Sequence, residues 1–219
     1  MTLSNITLYH YPLSRSMRVK FLLHELLGED FTTVKIDLMR GEGLSESFRE
    51  KNPNHAVPVI DIEYSDGSTQ TLIESIAILT FLADAYPEKA LAPKIDDYIA
   101  RANYLKWMAF GGAWMDMMLW QIRMHRDLLP KPMRHAATVE LWSSKFTKEV
   151  TPQIRAALDT HDYIAGDSFT AADCMMAQNL NWASAYGLGI DPAIGKYMKR
   201  IKVRPAFQLA MADAAGFEA

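Results

Sequence analysis

The chain has 219 residues, 49% hydrophobic and 22% charged, and its 23 Lys and Arg against 26 Asp and Glu give a net charge of −3. This length suits one large domain or two small ones. Because phosphate binding needs clustered cations and no Lys/Arg run occurs, we expect no nucleic-acid partner. No apolar stretch reaches the ~20 residues of a membrane span, and no basic and then apolar leader is present, so we expect a cytoplasmic protein.

The first part of the chain alternates strand and helix patterns. Side chains alternate with a period of two from Ile6 to Tyr11 and again from Val34 to Leu38, which predicts two strands. Between them, the apolar spacing from Arg15 to Leu27 predicts a helix that ends at Gly28. This βαβ order makes the first two strands parallel.

A polar loop rich in Gly, Ser and Glu separates this unit from a hairpin. Val57 to Tyr64 is typical of a third strand, and Asp66-Gly67 indicates a turn into a fourth, antiparallel strand at Gln70–Ile73. Apolar residues at helical spacing from Ile78 to Ala85 then predict a second helix.

The rest of the chain shows only helical patterns. The segment from Tyr86 to Pro93, with two prolines and little periodicity, predicts a linker. We expect a bend or break near Gly111-Gly112 and another bend at Pro152. The fold class is therefore α/β plus all-α, with an α/β domain at residues 1–86, a linker at 87–93 and an all-helical domain at 94–219. The predicted helical runs are approximately Ile95–Arg126, Arg134–Thr160, Ala171–Tyr186 and Asp191–Lys202.

The segment NPNHAVP at residues 52–58 precedes the third strand. Pro58 removes one ladder donor and keeps Val57 extended. If the Val57–Pro58 bond is cis, the N–H and C=O of Val57 are free to pair with an extended, peptide-like ligand. A trans proline in a turn, the commoner form, is the alternative.

Glu74 and Ser75 lie at the junction of the fourth strand and the following helix. The Ser75 hydroxyl and the free N–H groups at the helix start can hold a carboxylate, and Glu74 can accept from an ammonium. The pair therefore suits an amino-acid zwitterion. The alternative is an ordinary N-cap with an acidic first turn.

Thr170 and Asp173 have the spacing of a capping box, which predicts a structural helix start. Cys174 follows directly, and we interpret it as a small buried apolar residue rather than a reactive thiol. As the single cysteine it forms no internal disulfide and no cysteine-based metal cluster, and we expect no metal.

These patterns together resemble cytosolic glutathione transferases over nearly the whole chain. The residues involved are the turn YHYPLSRS at 9–16, the Asn-Pro and Val-Pro pairs within 52–58, ESIAI at 74–78 and the capping box at 170–173. The resemblance implies a thioredoxin-like N-terminal domain that binds glutathione and an all-helical C-terminal domain that contacts an apolar co-substrate. It also implies a homodimer and a detoxification enzyme in which the glutathione thiolate attacks an electrophile. A glutathione-dependent isomerase, an ether-cleaving enzyme and a non-catalytic glutathione-binding protein are the alternatives.

The resemblance also assigns glutathione-binding residues. It pairs the Val57 backbone, next to a cis Pro58, with the cysteinyl part of glutathione, and it places Glu74 and Ser75 on the γ-glutamyl zwitterion.

The glycyl carboxylate of glutathione has no obvious partner in this chain. Ala56 stands where relatives often have a Lys or Gln for that carboxylate, and His55 stands where they often have glycine. His55 or Arg15 would then supply the charge.

The family activates glutathione with a Tyr, Ser or Cys near the end of the first strand. That group donates a hydrogen bond to the thiolate, which lowers the thiol pKa from about 8.5 toward neutrality. A tyrosine position of several classes is His10 here, and no cysteine is available. Ser14, in the turn before the helix, is the first candidate and Ser16 the alternative. The open alternatives are Tyr9, Tyr11, His10 and backbone donors.

Aromatic and methionine residues are frequent in the first helix after the linker. The resemblance implies that this helix lines the apolar co-substrate, with Gly111-Gly112 opening space nearby. Packing in a helical core or dimer interface is the alternative. The expected lining residues are Tyr104, Trp107, Met108 and Met115.

Overall fold

The computed structural model describes residues 2–214, which divide into two compact units. The first unit contains the described residues up to Lys89 together with those from Val203 onward, and the second is Ala90–Lys202. Within this described part, no helix is both long enough and apolar enough to cross a bilayer.

The first unit is built on a four-stranded sheet in the order β2-β1-β3-β4. Its strands are β1 (Leu3–His10), β2 (Thr32–Lys35), β3 (Val59–Tyr64) and β4 (Thr69–Ile73). β1 runs parallel to β2 and antiparallel to β3, and β3 is antiparallel to β4. The predicted parallel pair and hairpin are therefore confirmed.

Three helices lie between or after these strands in the first unit. α1 (Ser16–Leu27) follows β1, α2 (Glu46–Lys51) follows β2, and α3 (Ser75–Ala85) follows β4. α1 ends at Gly28, whose φ of 67° lies in the left-handed region, as the sequence predicts. α2 lies in the segment expected to be a polar loop. Ser45 caps α2, but Phe48 is its one buried residue, so no apolar periodicity indicates this helix.

The second unit contains helices α4 to α9. They are α4 (Tyr98–Ala109), α5 (Asp116–Arg123), α6 (Ala136–Lys145), α7 (Thr151–Leu158), α8 (Ala171–Ala185) and α9 (Pro192–Lys202). Wider π-type turns at Phe110–Met115 and Phe146–Val150 interrupt the two long predicted runs. The first of these turns contains Gly111-Gly112, and the second ends just before Pro152.

Gly111 serves close packing rather than opening space, so that expectation is wrong. A Cβ on Gly111 would lie 2.6 Å from Cγ of Met175 on α8. The Asn179 side chain of the same helix donates to the Gly111 carbonyl oxygen at 2.7 Å. The missing side chain is what allows the two backbones to approach.

The C-terminal segment also differs from its expected placement in the helical domain. A last helix, α10 (Pro205–Met211), packs on α1 in the first unit. The Phe21 and Phe207 rings meet edge to face at 5.4 Å. Arg204 donates to both carboxylate oxygens of Glu25 at 2.6 and 2.9 Å. An apolar contact and a bidentate ion pair thus hold the end of the chain against α1.

The capping box at the start of α8 is confirmed, and Cys174 is buried as a free thiol. The fully buried carboxylate of Asp173 accepts from the backbone N–H groups of Ile164 at 3.0 Å and Thr170 at 2.8 Å. The Tyr197 hydroxyl donates to it as well, at 2.9 Å. One carboxylate therefore joins the start of α8 to a preceding loop and to α9.

We predict that Asp173→Asn lowers the free energy of unfolding by about 1–3 kcal/mol. Ile164 and Thr170 donate to different carboxylate oxygens, so a single amide oxygen leaves one buried backbone N–H without an acceptor. Urea denaturation followed by tryptophan fluorescence measures the change. Asp96→Asn, at an exposed position, is the matched control. Equal stability of the Asp173 and Asp96 variants would contradict the structural role.

Candidate functional site

The register of the sheet brings three separate chain segments to one end of the first unit. Tyr9 of β1 pairs with Val59 of β3, and Val59 pairs with Ile73 of β4. The turn after β1, the Val57-Pro58 pair before β3 and the Glu74-Ser75 pair after β4 therefore lie at the same sheet end.

The segment before β3 offers an unpaired stretch of backbone. The Val57–Pro58 bond is cis, as predicted. Within residues 2–214, the N–H and C=O of Val57 have no hydrogen-bond partner, although the residue is buried. The buried Asn52 side chain donates to the Ala56 carbonyl at 2.7 Å and accepts from the Asn54 N–H at 3.0 Å. Asn52 thereby fixes the loop that presents Val57.

His55 occupies a backbone conformation that favours glycine. Its φ is 47°, and its side chain is exposed. The opposing Gly43 lies so close that an added Cβ would be 2.8 Å from the His55 carbonyl oxygen. The glycine that relatives often have at this position therefore has a physical reason, since the left-handed region penalises side chains.

Glu74 is not an ordinary helix cap. It has φ 71° and ψ 113°, makes no capping hydrogen bond with its side chain and is exposed. A non-glycine residue in this region costs on the order of 1–3 kcal/mol and persists only where its surroundings hold it. Next to it, the buried Ser75 hydroxyl accepts from Nη1 of Arg18, which is itself fully buried, at 3.1 Å. The start of α3 and an exposed carboxylate therefore lie side by side.

A compact network of hydroxyl groups fills the turn between β1 and α1. The Ser14 hydroxyl lies 2.7 Å from the Tyr11 carbonyl oxygen and 2.7 Å from the Ser16 hydroxyl. The Ser16 hydroxyl lies 2.7 Å from Nδ1 of His10 and accepts from the Tyr11 N–H at 3.1 Å. Ser16 is buried and Ser14 is partly exposed. Both hydroxyls lie at the N-terminus of α1, where backbone N–H groups favour an anion.

His10 and Tyr9 have different surroundings. Burial lowers the pKa of His10 to about 4, against an opposing effect of Asp213, so its imidazole is neutral at pH 7. The Tyr9 hydroxyl donates to Asp61 at 2.9 Å, and burial and Asp61 raise the pKa of Tyr9. Lys51 binds the same carboxylate oxygen at 2.6 Å. Tyr9 is therefore engaged in an ion-paired cluster, which leaves it poorly suited as a thiolate donor.

The four residues expected to contact the co-substrate are buried rather than exposed on a surface. The four residues are between 0% and 4% exposed, so a ligand reaches none of them without movement, and the packing alternative fits this burial better. Apolar residues at helical spacing look the same in a core and in a wall, which is why sequence patterns did not separate the two. The four residues are Tyr104, Trp107, Met108 and Met115.

Sequence reasoning left several residues of this site unassigned. Asn52 lies in the NPNHAVP segment, and its position before a proline is the sequence feature that could have indicated a role in the loop. Arg18 lies in the first turns of α1, and nothing in the sequence indicates that this arginine is buried. Asp213 lies far along the chain from His10, and no local pattern connects them.

Among residues 2–214, no group of three or more His, Cys, Asp or Glu side chains could hold a metal ion.

Comparisons with known proteins place both parts of the chain in one family. Residues 8–90 match the family model "Glutathione S-transferase, N-terminal domain", and residues 119–205 match "Glutathione S-transferase, C-terminal domain". The chain is 27% identical over 212 residues to glutathione S-transferase GstA of Escherichia coli O157:H7, covering 93% of this chain and 96% of that protein. It is 26% identical over 213 residues to the disulfide-bond oxidoreductase YfcG of Escherichia coli K12, covering 95% of each.

A solved structure extends this likeness to three dimensions. The sphingomonad glutathione S-transferase complexed with glutathione is 27% identical and aligns with a TM-score of 0.80, covering 96% of this chain and all of that one (100%).

Proposed function

Because the chain belongs to the glutathione S-transferase family, we propose that it binds glutathione at this sheet end and joins its sulfur to an electrophile. The thiolate forms a bond to an electrophilic carbon of an apolar co-substrate, and the leaving group departs with the electrons of its own bond. The observation that supports this most directly is the meeting of an unpaired Val57 backbone, an exposed Glu74 and the serine turn at one end of the sheet.

In this proposal the backbone of Val57 pairs with the cysteinyl unit of glutathione as a short antiparallel strand. An N–H and a C=O on the same residue match the C=O and N–H of a peptide. Fixing the cysteinyl unit there orients its sulfur relative to the serine turn. Orientation of this kind is a large part of what an enzyme contributes when the nucleophile belongs to the substrate.

The two ends of glutathione differ in how well their partners are defined. For the γ-glutamyl end, the Glu74 carboxylate accepts from the ammonium, and Ser75 with the first N–H groups of α3 binds the carboxylate. The Arg18 contact fixes the Ser75 hydroxyl for this role. For the glycyl end, we propose His55, because it is exposed on the loop that ends at Val57.

Ser14 is the proposed catalytic residue. Its hydroxyl is partly exposed, whereas that of Ser16 is buried against His10. The two oxygens within hydrogen-bonding distance of it, the Tyr11 carbonyl and the Ser16 hydroxyl, are neutral, and a thiolate is the stronger acceptor. The N-terminus of α1 adds a favourable field for a sulfur anion.

The proposal extends to oligomeric state, location and biological role. The family resemblance supports a homodimer in the cytoplasm that acts in detoxification. A glutathione-dependent isomerase or ether-cleaving enzyme would use the same thiolate, and a binding protein would use the same site without turnover.

Glu74→Ala is predicted to weaken glutathione binding by more than tenfold, about 1.4 kcal/mol or more. The substitution removes the carboxylate that accepts from the γ-glutamyl ammonium, while the fold loses no capping hydrogen bond. Isothermal titration calorimetry measures the affinity, with Glu88→Ala as the control at an exposed position. Unchanged affinity in the Glu74 variant would move the zwitterion site elsewhere.

Ser14→Ala is predicted to raise the pKa of the bound glutathione thiol by about one to two units. A hydrogen bond to a charged acceptor is worth roughly 1.5–3 kcal/mol, and each pKa unit corresponds to about 1.4 kcal/mol. Glutathione affinity at low pH should change little, because the protonated thiol needs no donor.

Thiolate absorbance and the pH–rate profile for conjugation to a chloro-nitroarene measure this shift. His10 does not titrate near neutral pH, so its charge does not contribute to the profile. A shift in Ser16→Ala but not in Ser14→Ala would transfer the role to Ser16. Glutathione binding without turnover on a panel of electrophiles would favour the binding protein.

A further inference from the structure

A buried histidine behind the serine turn has polar contacts on both ring nitrogens. His10 is 1% exposed, and its Nδ1 lies 2.7 Å from the Ser16 hydroxyl. Its Nε2 lies 3.1 Å from Oδ2 of Asp213, with an alignment outside that of a normal hydrogen bond. The contact with Asp213 is therefore mainly electrostatic. A chain of polar groups thus runs from Asp213 through His10 and Ser16 to Ser14.

The C-terminal segment supplies the carboxylate of this chain of groups. α10 is held on α1 by the Phe21–Phe207 contact and the Glu25–Arg204 ion pair, and Asp213 follows it. Lys20 of α1 donates to the same Oδ2 of Asp213 at 2.7 Å. Asp213 and Lys20 are the charged groups that act on His10 in the described part of the chain.

The tautomer of His10 follows from these contacts. Because burial keeps the imidazole neutral, the ring carries one N–H, and its other nitrogen accepts. A carboxylate only accepts, so Asp213 stabilises the proton on Nε2. Nδ1 is then an acceptor, and the Ser16 hydroxyl donates to it. The competing acceptor for Ser16, the Tyr11 carbonyl, is more distant at 3.2 Å.

The tautomer of His10 also determines which of the two serine hydroxyls donates and which accepts. The Ser16 hydroxyl gives its one proton to His10, so its oxygen accepts from the Tyr11 N–H. The one proton of Ser14 then has two neutral acceptors, the Ser16 oxygen and the Tyr11 carbonyl oxygen, each at 2.7 Å. Ser14 can redirect this proton to a ligand at little cost, because the Ser16 oxygen keeps the Tyr11 N–H and the Tyr11 carbonyl keeps the Ser14 N–H. For Ser16 to donate to a ligand, it would have to leave a buried ring nitrogen without a donor.

We propose that Asp213 and His10 are positioning residues that, by setting the His10 tautomer, reserve Ser14 rather than Ser16 as the hydroxyl that donates to the glutathione sulfur. This inference rests on the proposed function. Neither positioning residue touches the substrate. They act through Ser16, and no proton is transferred to His10.

The first experiment reads the tautomer in the ligand-free protein. Long-range ¹H–¹⁵N correlation spectra of ¹⁵N-histidine-labelled protein, with His10 assigned through His10→Gln, distinguish the two tautomers and the charged ring. We expect the Nε2–H tautomer, without titration between about pH 5.5 and about pH 8.5. A dominant Nδ1–H tautomer or a charged ring at neutral pH would overturn the proposal.

The second experiment measures how Asp213 and Ser14 are coupled. In Asp213→Ala the Nδ1–H tautomer should gain population, and its N–H donates to Ser16 and frees the Ser16 proton for the sulfur. We expect Ser14→Ala to raise the pKa of the bound thiol by about one to two units alone, but by less than about half a unit in the Asp213→Ala background. Equal effects in both backgrounds would overturn the proposal.

Glu25→Gln is the matched control, because it weakens the attachment of α10 to α1 without touching His10. It should leave both the tautomer and the Ser14→Ala effect unchanged. If it reproduces the Asp213→Ala result, Asp213 serves only to dock the C-terminal segment, and the proposal fails. If the wild type does not bind glutathione, the proposed function fails. The tautomer of His10 still shows in which direction the hydrogen bonds between His10, Ser16 and Ser14 run.

Discussion

The hydrogen-bond register of the sheet is the constraint on which the candidate site depends. Pairing of Tyr9 with Val59, and of Val59 with Ile73, brings three segments that are distant in sequence to one edge. A shift by one residue would turn every side chain of the shifted strand to the other face and separate the segments. Burial of the apolar residues of β1 and β3 therefore specifies the site as well as the core, because it fixes this register.

Burial has a second consequence, which concerns the polar groups behind the serine turn. In water, the imidazole of His10 would titrate near neutral pH, but burial keeps it neutral. A neutral imidazole has one donor and one acceptor, so its hydrogen bonds acquire a direction. In the proposed arrangement, the Asp213 carboxylate stabilises the proton on Nε2, so that Nδ1 accepts. Burial of His10 at the end of β1 thus links the packing of the C-terminal segment to the hydrogen bonds of Ser16 and, through Ser16, to the partly exposed hydroxyl of Ser14.

Local patterns predicted much of this molecule, and long-range packing limited the rest. The helix end at Gly28 and the capping box at Asp173 depend on neighbouring residues, so the sequence indicated them correctly. The cis Pro58 was expected from a short motif and is present. The contact between His10 and Asp213 joins distant residues that share no pattern. The burial of the four expected wall residues was not predictable for another reason, since helical apolar spacing does not say which surface covers them.

A crystal structure of the protein with bound glutathione tests the central claim most directly, since it locates the sulfur relative to the serine turn. The account predicts that the sulfur lies within hydrogen-bonding distance of the Ser14 hydroxyl, with the cysteinyl unit paired to the Val57 backbone and Ser16 still bonded to His10. A sulfur on Ser16 or on Tyr11, or glutathione bound away from this end of the sheet, would contradict it.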